Sequence, residues 1–293
     1  MTGEPPASAK VADLGQPAPA GWRWEWYGTV EIQVPDDWGY GTTGWPPCLS
    51  REQPGGPYVG RPGAVPDIAC PEPVEPLAAR TPYLWIDTHA ADGVQAYDGG
   101  WVRETRVVDG LALTVLSDDP ALRARILDSA RPATGRDGCP AEHAVATEPG
   151  FRPDPGQGGL ATMGRVESVT VCRYAFGEPK LPPAARGLSG SRLTGEDARA
   201  VVRAIQAAPE GSGPNEPENC LPEVAAGHEV LLLLVRDNVR GQEVVVRYSG
   251  CDHHGVDDGH THRRLTADVL RPLLSGPHMP TVLNGAVADL IWP

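Results

Sequence analysis

Twelve residues from Cys251 to His262 (CDHHGVDDGHTH) hold four of the eight histidines of the chain and three aspartates. This is its densest group of side chains able to ligate metals or move protons. In an extended segment His260 and His262 share one face, and His254 or Asp257 from an opposing strand would complete a ligand set for a divalent transition metal. A metal held there would activate water for hydrolysis. The spacing departs from metallohydrolase patterns, because H-E-x-x-H is absent and H-x-H-x-D-H is not matched. The favoured expectation is therefore a solvent-facing hairpin with Asp258-Gly259 as a type I′ turn, and no cofactor.

The second candidate is aromatic. Trp22, Trp24, Trp26, Trp38 and Tyr40 crowd one stretch, and as a binding surface they would stack on the sugars of a cell-wall glycan or anchor a partner protein. The competing reading makes them core, since a chain short of Leu, Ile and Phe must fill its interior with something else. Other motifs fail: Gly187-Leu188-Ser189-Gly190-Ser191 is not G-x-S-x-G, and no phosphate-binding glycine loop follows a strand. A Ser/His/Asp site built from distant residues stays open, because such triads are defined by geometry. The pairs Asp36-Asp37, Asp118-Asp119 and Asp257-Asp258 sit at turns or a helix start, where capping accounts for them.

Positioning such groups falls to a chain of 293 residues in which 35 glycines and 32 prolines make almost a quarter of the total. That composition borders on low complexity, but eight Trp, seven Tyr and several patterned segments argue for compact units joined by long irregular connections. Collagen, coiled coil and multi-pass membrane protein are excluded, and no apolar run approaches the roughly 18 residues of a membrane span. The net charge is −13 and only Lys10 and Lys180 are lysines, so nucleic acid is not an expected partner.

Six cysteines stand far apart with no C-x-x-C among them, which favours disulfides over zinc. Nearest-neighbour pairing gives Cys48-Cys70, Cys139-Cys172 and Cys220-Cys251, each worth about 3 to 4 kcal/mol in the chain-entropy model. Disulfides imply export to an extracellular or cell-surface location, yet Met1 to Ala20 has no signal-peptide pattern. The expectation is a signal or membrane anchor removed from ahead of this chain, with residues 1–20 as a flexible stalk; a cytosolic protein would instead keep six thiols.

The elements read as α+β, in two small modules, each an antiparallel or mixed sheet with one main helix, disulfide-stabilised and rich in irregular loops. The first module spans 21–133, a linker 134–165 and the second module 166–293. Alternation from Trp22 to Pro35 signals a strand; proline from Gly41 to Pro82 signals an irregular segment. Strands are expected over 83–87, 101–108 and 111–116, the last two joined at Asp109-Gly110. A helix follows from Asp119-Pro120, with Leu122, Ile126, Leu127 and Ala130 as its buried stripe. In the second module strands are expected over 168–174, 229–236 and 243–248, a loop over 179–190, a helix opened by Thr194, a short helix from Thr266 ending near Pro272, and a last strand over 286–291.

The segments Tyr27 to Trp38 (YGTVEIQVPDDW) and Gly110 to Arg131 (GLALTVLSDDPALRARILDSAR) resemble the PsbP-like fold, in which an early strand ends at Pro and Trp and a late strand feeds a closing helix. The resemblance covers these stretches alone and carries no catalytic motif. The second module, with Cys220 and Cys251 bracketing two strands, resembles segments of uncharacterised actinobacterial exported proteins, which implies a location and not an activity. The resulting expectation is a non-enzymatic extracellular or cell-envelope binding or structural protein, tethered, if at all, by the removed anchor; the alternative is a metal-dependent hydrolase centred on the loop 252–262. Protein made in an oxidising compartment and denatured without reductant should weigh six hydrogens less than its all-thiol form, and a peptide map linking Cys48 to Cys251 would refute the pairing.

Overall fold

The computed structural model describes residues 17–49, 56–63, 65, 68–70, 81–134, 136–156, 158–176, 185–220, 228–280, 283 and 285–291. Of the expected stalk, residues 1–16 lie outside them. The fold is α+β, with three sheets and four α-helices among the described residues. Disulfides join Cys48 to Cys70, Cys139 to Cys172 and Cys220 to Cys251. No helix among the described residues is long and apolar enough to cross a membrane.

The alternating run from Trp22 to Pro35 is a hairpin rather than one strand. β1 (Trp22–Tyr27) and β2 (Val30–Pro35) meet at Gly28, whose φ of +55° lies in the left-handed region that glycine tolerates. Trp24 pairs with Gln33 and Glu25 with Ile32. Antiparallel register therefore puts the three tryptophans on one face and Val30, Ile32 and Val34 on the other, against the single shared period in the sequence. β9 (Arg131–Pro132) pairs with the far side of β2, leaving β1 as an edge.

A second sheet is built from β3 (Gly39–Thr42), β4 (Tyr58–Arg61), β5 (Tyr83–Asp87), β6 (Gly93–Ala96), β7 (Val102–Val108) and β8 (Leu111–Ser117), in the order β3-β4-β5-β8-β7-β6. β4 lies within the stretch that its prolines marked as irregular. It pairs in parallel with both neighbours and is buried throughout, so it shows none of the alternation that betrays a half-exposed strand. Asp109 and Gly110 both take positive φ between β7 and β8, as a two-residue hairpin turn requires. In α1 (Pro120–Asp128) the Asp119 carboxylate accepts from the N–H groups of Ala121 and Leu122, and Ile126 and Leu127 bury against Val30, Ile32, Leu84 and Leu113.

The third sheet is antiparallel, in the order β11-β10-β12-β13-β14-β15. β10 (Ser168–Ala175), β12 (Glu229–Arg236) and β13 (Gly241–Arg247) follow their apolar patterns; β14 (Gly255–Asp257) and β15 (His262–Arg263) are short. β11 (Gly187–Thr194) occupies part of the expected loop 179–190. Its glycines and serines hide it from a search for apolar alternation, and the reason for two of them is Trp26: a Cβ on Gly187 would lie 2.7 Å from that indole, and one on Gly190 2.9 Å. α2 (Gly195–Ala207) buries Ala198, Val201, Val202 and Ile205. α3 (Ala267–Leu273) starts under the Thr266 hydroxyl, which accepts from Val269 N–H, and ends one residue past Pro272, close to the expected end. Residues 286–291 belong to α4 (Gly285–Ile291) and not to a strand. Val287, Leu290 and Ile291 stand three and four apart and pack on the main core of the third sheet, which is helical spacing.

Residues 134–165, expected as linker, lie against the third sheet: Val145, Ala146 and Leu160 are buried, and Cys139 ties the stretch to β10. A core cluster of Trp26, Cys139, Cys172, Tyr174 and Leu232 thus joins residues of both halves of the chain. Because a methyl on Gly190 would also lie 2.9 Å from Cys139 Sγ and 3.0 Å from the Arg136 carbonyl, Gly190→Ala should lower the urea-unfolding free energy by about 1 to 3 kcal/mol. Gly150→Ala, with open space around it, should leave it unchanged.

Candidate functional site

β1 and β11 each end a sheet, and they face one another. At one end they touch: Gly28 N–H donates to the Gly187 carbonyl at 2.7 Å. Next to that contact the Arg61 guanidinium, carried in from β4, donates from one nitrogen to the carbonyls of Trp26 (2.9 Å) and Leu188 (2.7 Å). Its other terminal nitrogen binds Glu25 at 2.6 Å. Beyond Arg61 the edges bound a cleft of about 480 Å³, lined by Trp22 to Trp26 from β1 and Gly190 to Arg192 from β11, together with Tyr40, Asp137 and Pro277.

The charges in the cleft are arranged in pairs. Glu25, 3% exposed, accepts from Arg23 Nε at 2.6 Å, from the Tyr40 hydroxyl at 2.8 Å and from Arg61. Three donors on one buried carboxylate offset the cost of taking it out of water. Burial, reinforced by Glu25, raises the Tyr40 phenol well above its ordinary range. Asp137 is different: among the described residues it accepts one bond, at 3.2 Å from Trp26 Nε1, and burial, with Glu25 adding to it, pushes its carboxyl up to about 6. Arg136 and Asp137 both hold left-handed φ, +38° and +53°, a conformation that costs ordinary residues about 1 to 3 kcal/mol and concentrates at functional sites.

Four of the five aromatic residues singled out in the sequence line this cleft, namely Trp22, Trp24, Trp26 and Tyr40; Trp38 is buried in a core with Val30, Ile32, Leu84 and Leu113. One face of several of these rings is already covered. Arg125 lies 3.7 Å over Trp22 and Arg131 4.2 Å over Trp24, while Trp26 packs on Gly187 and Gly190.

Ser191 of the cleft lining belongs to a serine–histidine relay whose other members, Ser189 and His278, are buried. Ser191 Oγ is 2.7 Å from His278 Nε2, and His278 Nδ1 is 2.8 Å from Ser189 Oγ. This has the order nucleophile, base, orienter of a catalytic triad. Its electrostatics run the other way. Burial, then Arg173 and Arg61, hold His278 well below its ordinary pKa, and the third member is a neutral hydroxyl where a triad places a carboxylate to stabilise the imidazolium. The relay is suited to clamping the turn 276–278 onto β11, not to accepting a proton from Ser191.

The histidine loop is not gathered around a centre. His254 is buried, its ring nitrogens against the carbonyls of Pro214 and Gly250. Asp257 takes both donors of Arg152, at 2.7 and 2.9 Å, and Asp258 accepts from the N–H groups of Leu160, His260 and Thr261. His260 is exposed, and burial lowers the pKa of His262. Among the described residues no group of three His, Cys, Asp or Glu is placed to hold a metal ion. The turn spans 258–261, closed by Asp258 N–H to the Thr261 carbonyl, so the expected two-residue turn is a four-residue one. Its aspartates are buried rather than solvent-facing because they fasten residues 152–160 to the third sheet.

Sequence reading missed Glu25, Arg61, Asp137, Ser191, Arg192 and His278. A charged residue between tryptophans was the one available signal, and its partner Arg61 lies 36 residues away. No family model, curated protein or solved structure matches the chain, so function is read from the site itself.

The raised Asp137 carboxyl has a definite sign. Its folded pKa lies above the unfolded value of about 3.9, so the folded state binds the proton more tightly and stability falls as pH rises from about 4 through 6. Asp137→Asn, which keeps the acceptor for Trp26, should therefore stabilise the protein at pH 8 by up to about 3 kcal/mol, and the gain should vanish below pH 4 in urea-unfolding curves.

Proposed function

We propose that this protein is an exported, non-enzymatic binding component of the cell envelope, and that it holds its partner, a protein or a cell-wall glycan, in the cleft between β1 and β11. The observation that carries the reading is the cleft itself: an indole-lined space with a few fixed charges where two sheets meet, the type of place where binding sites concentrate. Three disulfides and no free cysteine among the described residues support an oxidising destination. The non-enzymatic part is supported by the relay, whose histidine is held below its ordinary pKa by burial and has a neutral hydroxyl behind it in place of a carboxylate.

The test uses the intact protein, made in an oxidising host and mixed with wall and membrane fractions of a high-GC Gram-positive bacterium. It should sediment with one of them, and Arg192→Glu, a change at an exposed cleft residue, should release it. A protein that stays in the supernatant overturns the envelope reading. Ser191 should remain unmodified by a fluorophosphonate probe; covalent capture there would refute the non-enzymatic role.

A further inference from the structure

On the reading that the cleft is the binding site, we infer that its occupant is an extended, acidic peptide segment of a partner protein, which enters as a strand between β1 and β11. The free edges carry the inference. Gly28 N–H and the Trp26 carbonyl both point across to β11, where the Gly187 carbonyl and Arg61 meet them. Alternation along an antiparallel strand turns the N–H and C=O of Trp24 the same way. Among the described residues no backbone hydrogen bond joins Trp24 to β11, and the cleft lies between them.

The two edges run antiparallel, since Gly28 meets Gly187 while the preceding Trp26 is bridged to the following Leu188. An inserted strand is thus antiparallel to one edge and parallel to the other, and it makes the first and third sheets continuous. The same chain already fills the narrow end of this gap with a surrogate, the Arg61 guanidinium, which donates to both edge carbonyls at once. Beyond it lies the cleft, and strand addition to an edge is the recognition mode that uses such groups.

Charge selects the sequence. The chain has a net charge of −13, yet Arg23, Arg61, Arg125, Arg131 and Arg192 line the cleft or lie on its lining residues, against Glu25, Asp137 and Glu31, the partner of Arg131. The local excess is positive, and Arg192 is exposed. Acidic side chains on the inserted strand meet it. Alternate side chains project toward Trp24 and toward Tyr40, which lie off opposite faces of β1. A sugar is the poorer fit, because a guanidinium already covers one face of Trp22 and one of Trp24, which halves the indole surface on which it could stack.

The probe is a blocked heptapeptide alternating valine and glutamate, titrated calorimetrically into the full protein. It should bind and slow hydrogen exchange of the Trp24 amide. The same peptide with lysine for glutamate should bind roughly tenfold or more weakly, Arg192→Glu should weaken the glutamate peptide, and N-methylation of alternate residues on both edges should abolish binding. No binding by the glutamate peptide, or undiminished binding after N-methylation, overturns the strand. Protection of Trp24 by an oligogalacturonate with no effect of the peptide overturns it in favour of an acidic glycan. Failure of the peptide while Arg192→Glu still releases the protein from the envelope refutes this inference alone; retention unaffected by Arg192→Glu refutes the cleft as the site.

Discussion

One buried guanidinium determines how the two halves of this protein meet. Arg61 is 6% exposed and reaches from β4 to the Glu25 carboxylate on β1 and to the backbone of both β1 and β11. Its charge is tolerated in the interior because Glu25 neutralises it and two carbonyls take further donors. The same contacts bring two sheet edges to within reach of one atom. Everything around the cleft follows from that: the edges converge at Arg61, touch at Gly28 and Gly187, and part on the other side.

A second arginine repeats the device deeper in the third sheet. Arg173, fully buried on β10, lies 3.5 Å from Glu229, which also accepts a 2.6 Å bond from the Tyr248 hydroxyl, and it donates to the Met279 carbonyl. Together with the Ser189–His278–Ser191 relay this fixes residues 276–279 along β11. Burial first, and then the same positive charge together with that of Arg61, holds His278 below its ordinary pKa. The position that would make Ser191 reactive and the position that makes the turn rigid are thus in conflict, and the surrounding charges favour rigidity.

Much of the fold was legible because its signals are local. The Asp119-Pro120 start of α1, the apolar stripe of α2 and the Asp109-Gly110 turn each depend on residues within a few positions of one another. Where a residue type is dictated by a distant neighbour, the sequence misleads. β11 is glycine-rich because Trp26, from the other half of the chain, lies on it. The tryptophan run was visible, but the parity change at Gly28 that separates it from Val30, Ile32 and Val34 depends on the turn length alone. The histidine cluster drew attention by composition, yet its buried members serve as hydrogen-bond fasteners, a role that needs Pro214, Arg152 and Leu160 to be recognised.

The cleft persists against the general tendency of sheet edges to pair. Closing it would require β1 and β11 to approach along their whole length, and three features oppose that. The Arg61 guanidinium stands between the edges where closure would begin. Trp26 occupies the space over Gly187 and Gly190, so the strands meet through an indole instead of a ladder. Asp137, held in a left-handed turn tethered through Cys139 to β10, keeps a carboxylate at the cleft that closure would bury further, at a rising desolvation cost. An edge that evolution blunts is normally covered, charged or twisted away; here two edges are propped apart with their backbone groups toward each other. That arrangement is costly for a purely structural junction, and it becomes favourable when a third strand supplies the missing hydrogen bonds.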